Sequence, residues 1–190
     1  MNKWVVYDVD SVYHALNDNN NDDSVYRFHY QVMEVIDSSI LDLQGRTNQI
    51  ILRYFRHSAS DPWNFTATWT EYLTLSSAYK NEDNVPYHKL SFPISAGITW
   101  NGNDANNLGA EDYKYLDFHV PRNIGGFNFD STLTVLHTDD DNYVQKKFGE
   151  EIYATGVGMI YKEKDDLGKR NGIVVSGLEY KATLNDFGPR

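Results

Sequence analysis

The stretch Trp63-Asn64-Phe65-Thr66-Ala67-Thr68-Trp69-Thr70-Glu71-Tyr72-Leu73-Thr74-Leu75 sets Trp63, Phe65, Ala67, Trp69, Leu73 and Leu75 on one parity. Asn64, Thr66, Thr68, Thr70 and Thr74 fall on the other. A period of two is the signature of a strand with one face buried. The same period recurs outward in both directions. Towards the N-terminus it runs through Ile50, Leu52 and Tyr54, then Tyr26, Phe28, Tyr30, Val32 and Ile36, then Val5, Tyr7, Val9 and Tyr13. Towards the C-terminus it continues in Leu90, Phe92 and Ile94, in Leu116, Phe118 and Val120, and in Phe127, Phe129, Leu133 and Val135. Tyr153, Val157, Met159 and Tyr161 form a further stripe, followed by Val174, Leu178, Tyr180, Ala182 and Leu184. These stripes predict about nine to ten strands, most of them longer than usual.

Turn chemistry separates them. Asn17 to Asp23 is an Asn/Asp run, Leu43-Gln44-Gly45-Arg46 reads as a short hairpin, and Asn81 to Pro86 is polar. Gly97 to Asn107 marks a longer loop, within which Asn101-Gly102 is a hairpin signal, and Asp165 to Gly172 is charged and glycine-bearing. Short links imply antiparallel neighbours. Helical sequence is scarce, with Tyr143 to Glu151 and Ser38 to Leu43 the best candidates for a turn or two. A sheet with no helices to cover it must cover itself. The expectation is therefore an all-β antiparallel meander over residues 1–190 as one domain, curved into a half-barrel or barrel, with a β-sandwich as the alternative.

Composition narrows the function. The 190 residues carry 17 Lys+Arg against 27 Asp+Glu, a net charge of −10, with no cysteine and 14% aromatic residues. Zero cysteine excludes disulfides, thiol nucleophiles and zinc-thiolate sites. The acidic balance, without clustered basic residues, argues against nucleic acid and against anionic membrane surfaces. No stretch approaches the roughly 20 apolar residues of a transmembrane helix. Strand-like sequence starts at Trp4 with no signal peptide ahead of it, which fits a cytoplasmic protein or one whose targeting segment has been removed.

Two blocks go beyond composition. Phe92-Pro93-Ile94-Ser95-Ala96-Gly97-Ile98-Thr99-Trp100-Asn101-Gly102-Asn103 and Glu151-Ile152-Tyr153-Ala154-Thr155-Gly156-Val157-Gly158-Met159-Ile160-Tyr161-Lys162-Glu163 resemble blocks of uncharacterised cell-envelope lipoproteins of Bacteroidetes, as does Trp4 to Val12 with their first strand. The resemblance implies a periplasmic or surface-facing envelope protein of the outer membrane. Its lipid anchor would lie outside this chain, because the lipidated cysteine of that family is absent here. It implies no activity. In that setting Asp10-Ser11-Val12, Asp23-Ser24-Val25 and Asp130-Ser131-Thr132 match a short O-glycosylation pattern.

The constellations able to carry chemistry are few. Six histidines, at 14, 29, 57, 88, 119 and 137, lack metal-ligand spacing, although His119 and His137 would face each other if their strands pair. Asp139-Asp140-Asp141-Asn142 and the run 17–23 supply the hard oxygens calcium takes, without EF-hand spacing. Gly156 and Gly158 read as a bulge or barrel corner. Nucleophile elbows, phosphate loops and dinucleotide fingerprints are missing. Glu71 is the one carboxylate on the aromatic parity of its strand; burial there would raise its pKa. Paired with an acid such as Asp117, it is the first candidate for a carbohydrate-active hydrolase. An ordinary ion pair with Arg53 or Arg56 is the plainer reading.

The leading expectation is a non-catalytic domain that needs no cofactor or metal. It would bind a small apolar, lipid or glycan ligand, or a protein partner. Trp63, Phe65 and Trp69, with Trp100, Asn101 and Asn103, are the candidate ligand contacts. Phe28, Tyr30, Phe92 and Phe118 would complete the lining, and all of these serve equally as core. An assembly subunit using an open strand edge is a third reading.

Overall fold

The computed structural model describes residues 3–16 and 24–189. They form twelve strands in one antiparallel sheet, and no helix. The strands are β1 (Trp4–Ala15), β2 (Ser24–Leu41), β3 (Thr47–Arg56), β4 (Asn64–Leu73), β5 (Ser77–Glu82) and β6 (Val85–Ser91). They continue as β7 (Thr99–Asn101), β8 (Asp112–Ile124), β9 (Phe127–Asp141), β10 (Gln145–Ala154), β11 (Gly158–Arg170) and β12 (Ile173–Gly188). The order across the sheet is β6-β5-β4-β3-β2-β1-β12-β11-β10-β9-β8-β7, so neighbours in sequence are neighbours in space, and β1 and β12 join the two halves.

The expected all-β curved antiparallel sheet is what forms, as a nearly closed barrel. Its two end strands meet across a seam held by a few specific bonds in place of a ladder. His88 N–H donates to Gly102 O at 2.9 Å, and the Trp100 indole donates to His88 O at 2.9 Å. The Tyr115 hydroxyl accepts from Ser91 N–H at 3.0 Å while donating to Ser91 O at 2.6 Å. These bonds satisfy edge groups that would otherwise template another strand.

The sequence undercounts the strands for a physical reason. β5, Ser-Ala-Tyr-Lys-Asn-Glu, and β10, Gln-Lys-Lys-Phe-Gly-Glu-Glu-Ile-Tyr-Ala, carry charges where an apolar core would put hydrophobes. Their alternation is therefore masked. Tyr143 to Glu151 and Ser38 to Leu43 are not helical: β10 pairs with β9 and β11 on its two sides, and β2 runs on to Leu41. Gly156 lies in the turn joining β10 to β11, with φ of 79°, so the stripe from Tyr153 to Tyr161 is two strands. Asn101-Gly102 opens the long loop between β7 and β8 and makes no two-residue hairpin. The Leu43 to Arg46 turn joins β2 to β3, and the Asp42 carboxylate caps it by accepting from the backbone of Gln44 and Arg46, both at 2.9 Å. Asp83 and Asn84, both at positive φ, make the two-residue turn between β5 and β6.

One apolar cluster centres on Tyr7, Val9, Val32, Ile160, Ala182 and Leu184, where β1 and β12 join the halves. The β8–β9 tip folds back on it. Gly125 sits at φ of 61°, and a Cβ there would stand 1.7 Å from Leu184 O, so only glycine allows that approach. Phe127 and Phe187 meet edge to face at 5.2 Å beside it. A second cluster, Trp100, Tyr113, Tyr115 and Val135, lies under the seam. Eight strands give a barrel that side chains just fill, whereas wider barrels leave a lumen. Twelve strands leave one here, and the site lies in it.

Candidate functional site in the barrel lumen

Across the middle of the lumen runs a network of charged side chains from opposite walls. Glu82 of β5 bonds Lys89 of β6 at 2.9 Å and reaches Lys162 of β11 at 3.8 Å. Glu151 of β10, which has no exposed surface, accepts from Lys89 at 2.9 Å and forms ion pairs with Lys162 at 3.0 Å and, at 3.5 Å, with His137 of β9. The Tyr153 hydroxyl also donates to Glu151. Beside this, Glu34 of β2 holds Lys80 of β5 at 2.7 Å and Arg53 of β3 at 3.5 Å. Buried charges persist only when paired and hydrogen-bonded. Burial would raise the Glu151 pKa, but Lys89, Lys162 and His137 outweigh it and hold the carboxyl well below its ordinary range. Burial would lower Lys89, and Glu151 and Glu82 instead hold it well above the lysine range. For Glu82, burial is overcome by Lys162, Lys89 and Lys80, leaving a pKa of about 2.

The network divides the lumen in two. A cavity of about 520 Å³ opens at the end where β1, β3 and β5 begin. Trp4, Ile36, Ile51, Leu73, Leu90 and Met159 supply its apolar wall, and Glu34, Lys80, Glu82 and Lys89 its polar floor. On the far side of Glu34, Lys80 and Glu82 lies a cavity of about 610 Å³, with Tyr13, Tyr30, Trp69 and Tyr180 among charged side chains that include Arg53, Lys162 and Lys164. Tyr7 lines both, its hydroxyl donating to Met159 O at 3.0 Å.

Glu71 stands in the wall of the first cavity, across the ladder from Gln49 and Lys80. Burial raises its pKa, with Lys80 pulling the other way. Neither Arg53 nor Arg56 is its partner: Arg53 goes to Glu34, and Arg56 donates to Gln31 Oε1 at 2.7 Å. Asp117 does not join it. That residue is on β8, bonded to Arg122 at 2.5 Å and to the Thr134 hydroxyl at 2.9 Å, and is not part of the cavity lining.

The six residues singled out for ligand contact are dispersed. Trp69 is buried in the wall of the second cavity, with Arg53 over its ring at 4.3 Å and its indole bonded to Asp83 at 3.0 Å. Trp63 lies in a separate hollow of about 320 Å³ with Trp4, Val6 and Met33, under the Arg56 guanidinium at 4.1 Å. Phe65 is exposed, edge-on to Tyr54 at 5.9 Å. Trp100, Asn101 and Asn103 build the seam and its loop. The Asn101 side chain accepts from the backbone of Asn103 and Glu111, both at 3.0 Å, and buried Asn103 donates to Gly109 O at 2.8 Å. Of the remaining lining candidates, Tyr30 reaches the second cavity and Phe28 is exposed. Phe92 follows the seam strand, its N–H bonded to Ser76 O at 2.7 Å, and Phe118 packs on His119 at 5.5 Å.

His119 and His137 do not face each other, although β8 and β9 pair. Register shifts displace His119, which bonds Ser131 at 3.2 Å, while His137 stacks on Tyr113 at 3.9 Å. Asp140 serves Gln145 and Asn142, and Asp141 pairs with Lys169. Among the described residues, no group of three His, Asp or Glu side chains is placed to hold a metal. The acidic run at 17–23 lies outside the described residues. Of the three serines in glycosylation-like tripeptides, Ser11 is buried within β1. No described helix is long and apolar enough to cross a membrane.

Sequence reasoning missed the ion network. Its trace was present: Glu34 interrupts the Tyr30, Val32, Ile36 stripe on the buried parity, as Glu71 does in β4. A charge on a buried parity in several strands at once marks a polar lumen. Comparison of the chain with protein-family models, with curated proteins and with solved structures finds no match to any of them.

Proposed function

We propose that the chain is a non-catalytic binding protein that holds a small amphipathic molecule in the first lumen cavity. The observation that carries this reading is the cavity itself: about 520 Å³, open at one barrel end, with an apolar wall above a floor of paired charges. Pockets of a few hundred Å³ with apolar walls and a few fixed polar groups are the usual form of small-molecule sites. The network makes the floor rigid, and a rigid cavity binds without the cost of ordering its own side chains. A role in the cell envelope is supported by the resemblance of the blocks at Phe92–Asn103 and Glu151–Glu163. Native mass spectrometry of the purified chain, with extraction after denaturation, tests the binding reading. The expected result is an adduct of defined mass that is lost on denaturation and is absent from a Leu90→Trp variant that fills the cavity. A bare chain that also takes up no hydrophobic dye would overturn it.

A further inference from the structure

The lining of the first cavity leaves one carboxyl, that of half-buried Glu71 two residues from the rim end of β4, without a hydrogen-bonded partner. Glu34 is held by Lys80 and Glu82 by Lys89, at 2.7 and 2.9 Å. The Glu71 carboxyl has neither ion pair nor hydrogen bond among the described residues, although it faces Lys80 across the β4–β5 ladder, because the Lys80 ammonium is turned to Glu34. The cations of the floor are committed in the same way. Lys89 serves Glu82 and Glu151, and Lys80 serves Glu34. The remaining lining cation, Lys3, precedes β1 at the open rim; its charge draws on the Glu71 carboxyl through space without an ion pair or hydrogen bond. An acidic ligand entering the cavity would therefore find the deep lysines already bound to carboxylates and would have to displace one. A ligand carrying its own positive charge finds the Glu71 carboxyl unbonded, drawn on only through space by Lys80 and Lys3.

The surroundings of Glu71 fit the rest of such a ligand. Leu73 follows two residues on along β4, and Ile36, Ile51 and Leu90 complete an apolar wall with Trp4 at the open end. A carboxylate in such a wall is costly to ionise alone, and burial raises its pKa accordingly. An incoming ammonium offsets that cost with a charge-assisted hydrogen bond.

We infer that the cavity, on the binding reading above, takes an amphipathic amine whose ammonium bonds the Glu71 carboxylate and whose hydrocarbon lies along Ile36, Ile51, Leu73 and Leu90. The test uses the full chain, Nile red as a neutral dye, and three competitors of one chain length: octylamine, octanol and octanoate. Octylamine is expected to displace the dye at a concentration at least about ten-fold lower than the other two, the worth of one hydrogen bond to a charged group. Calorimetric titration into Glu71→Gln is expected to show that advantage gone, with octylamine and octanol equal.

Octanoate matching or surpassing octylamine would overturn the amine assignment and leave the cavity reading standing. An advantage undiminished in Glu71→Gln would do the same. Nile red that neither binds nor is displaced would instead overturn the cavity reading on which the assignment rests. The wild-type competition decides the matter even where Glu71→Gln fails to fold.

Discussion

Replacing Glu82 by Gln isolates the worth of one carboxylate in the lumen network. Gln keeps the shape and removes the charge that faces Lys89 at 2.9 Å and Lys162 at 3.8 Å. In the folded chain the Glu82 pKa is about 2, against 4.5 for the unperturbed group. At 1.36 kcal/mol per tenfold change in proton affinity, that drop is worth about 3 kcal/mol of folding stability. The figure agrees with the roughly 3–5 kcal/mol measured for breaking buried ion pairs. The sign follows from which state holds the proton more tightly. The folded chain binds it more weakly than the unfolded chain, so the contribution is complete above pH 4.5 and disappears as pH falls through about 2. Wild type should therefore exceed Glu82→Gln by about 3 kcal/mol near pH 7, by about 1 kcal/mol near pH 3, and by a fraction of that near pH 2. Urea unfolding of both proteins, followed by tryptophan fluorescence at each pH, gives the difference directly. A gap below about 1 kcal/mol near pH 7, or one that does not narrow between pH 7 and 3, would refute the argument that the lysines stabilise an ionised Glu82.

Two further changes probe the frame around the lumen. Tyr115→Phe removes both seam bonds to Ser91 and should cost about 1–2 kcal/mol in urea unfolding while speeding amide exchange at Ser91; exchange at Ser91 equal to wild type would show that the seam does not depend on this hydroxyl. Gly125→Ala forces a methyl against Leu184 O at a positive φ and should cost more than about 2 kcal/mol, with the near-ultraviolet signal of the Phe127, Phe129 and Phe187 cluster altered; an unchanged melting temperature would mean that the β8–β9 tip does not need its docking on β12.

The alternation in Trp63–Leu75 and its counterparts was enough to establish strands, antiparallel pairing and a self-covering sheet, because a period of two is local and survives wherever one face meets apolar neighbours. The turns at Leu43–Arg46 and Asn81–Pro86 were legible for the same reason: their chemistry lies in a few adjacent residues. Glu71 was legible in part, as a charge on an apolar parity whose burial would raise its pKa. The ion network was not, since Glu82 and Lys162, or Lys89 and Glu151, are joined only when β5 and β6 come to face β10 and β11 across the lumen of a nearly closed sheet. Nor could sequence say that Trp69 would line a cavity while Trp63 and Trp100, equally aromatic, would serve an outer hollow and a seam. Strand identity is a property of neighbours along the chain. Which side chains share a space depends on how many strands the sheet closes with, and twelve strands enclose more volume than their side chains fill.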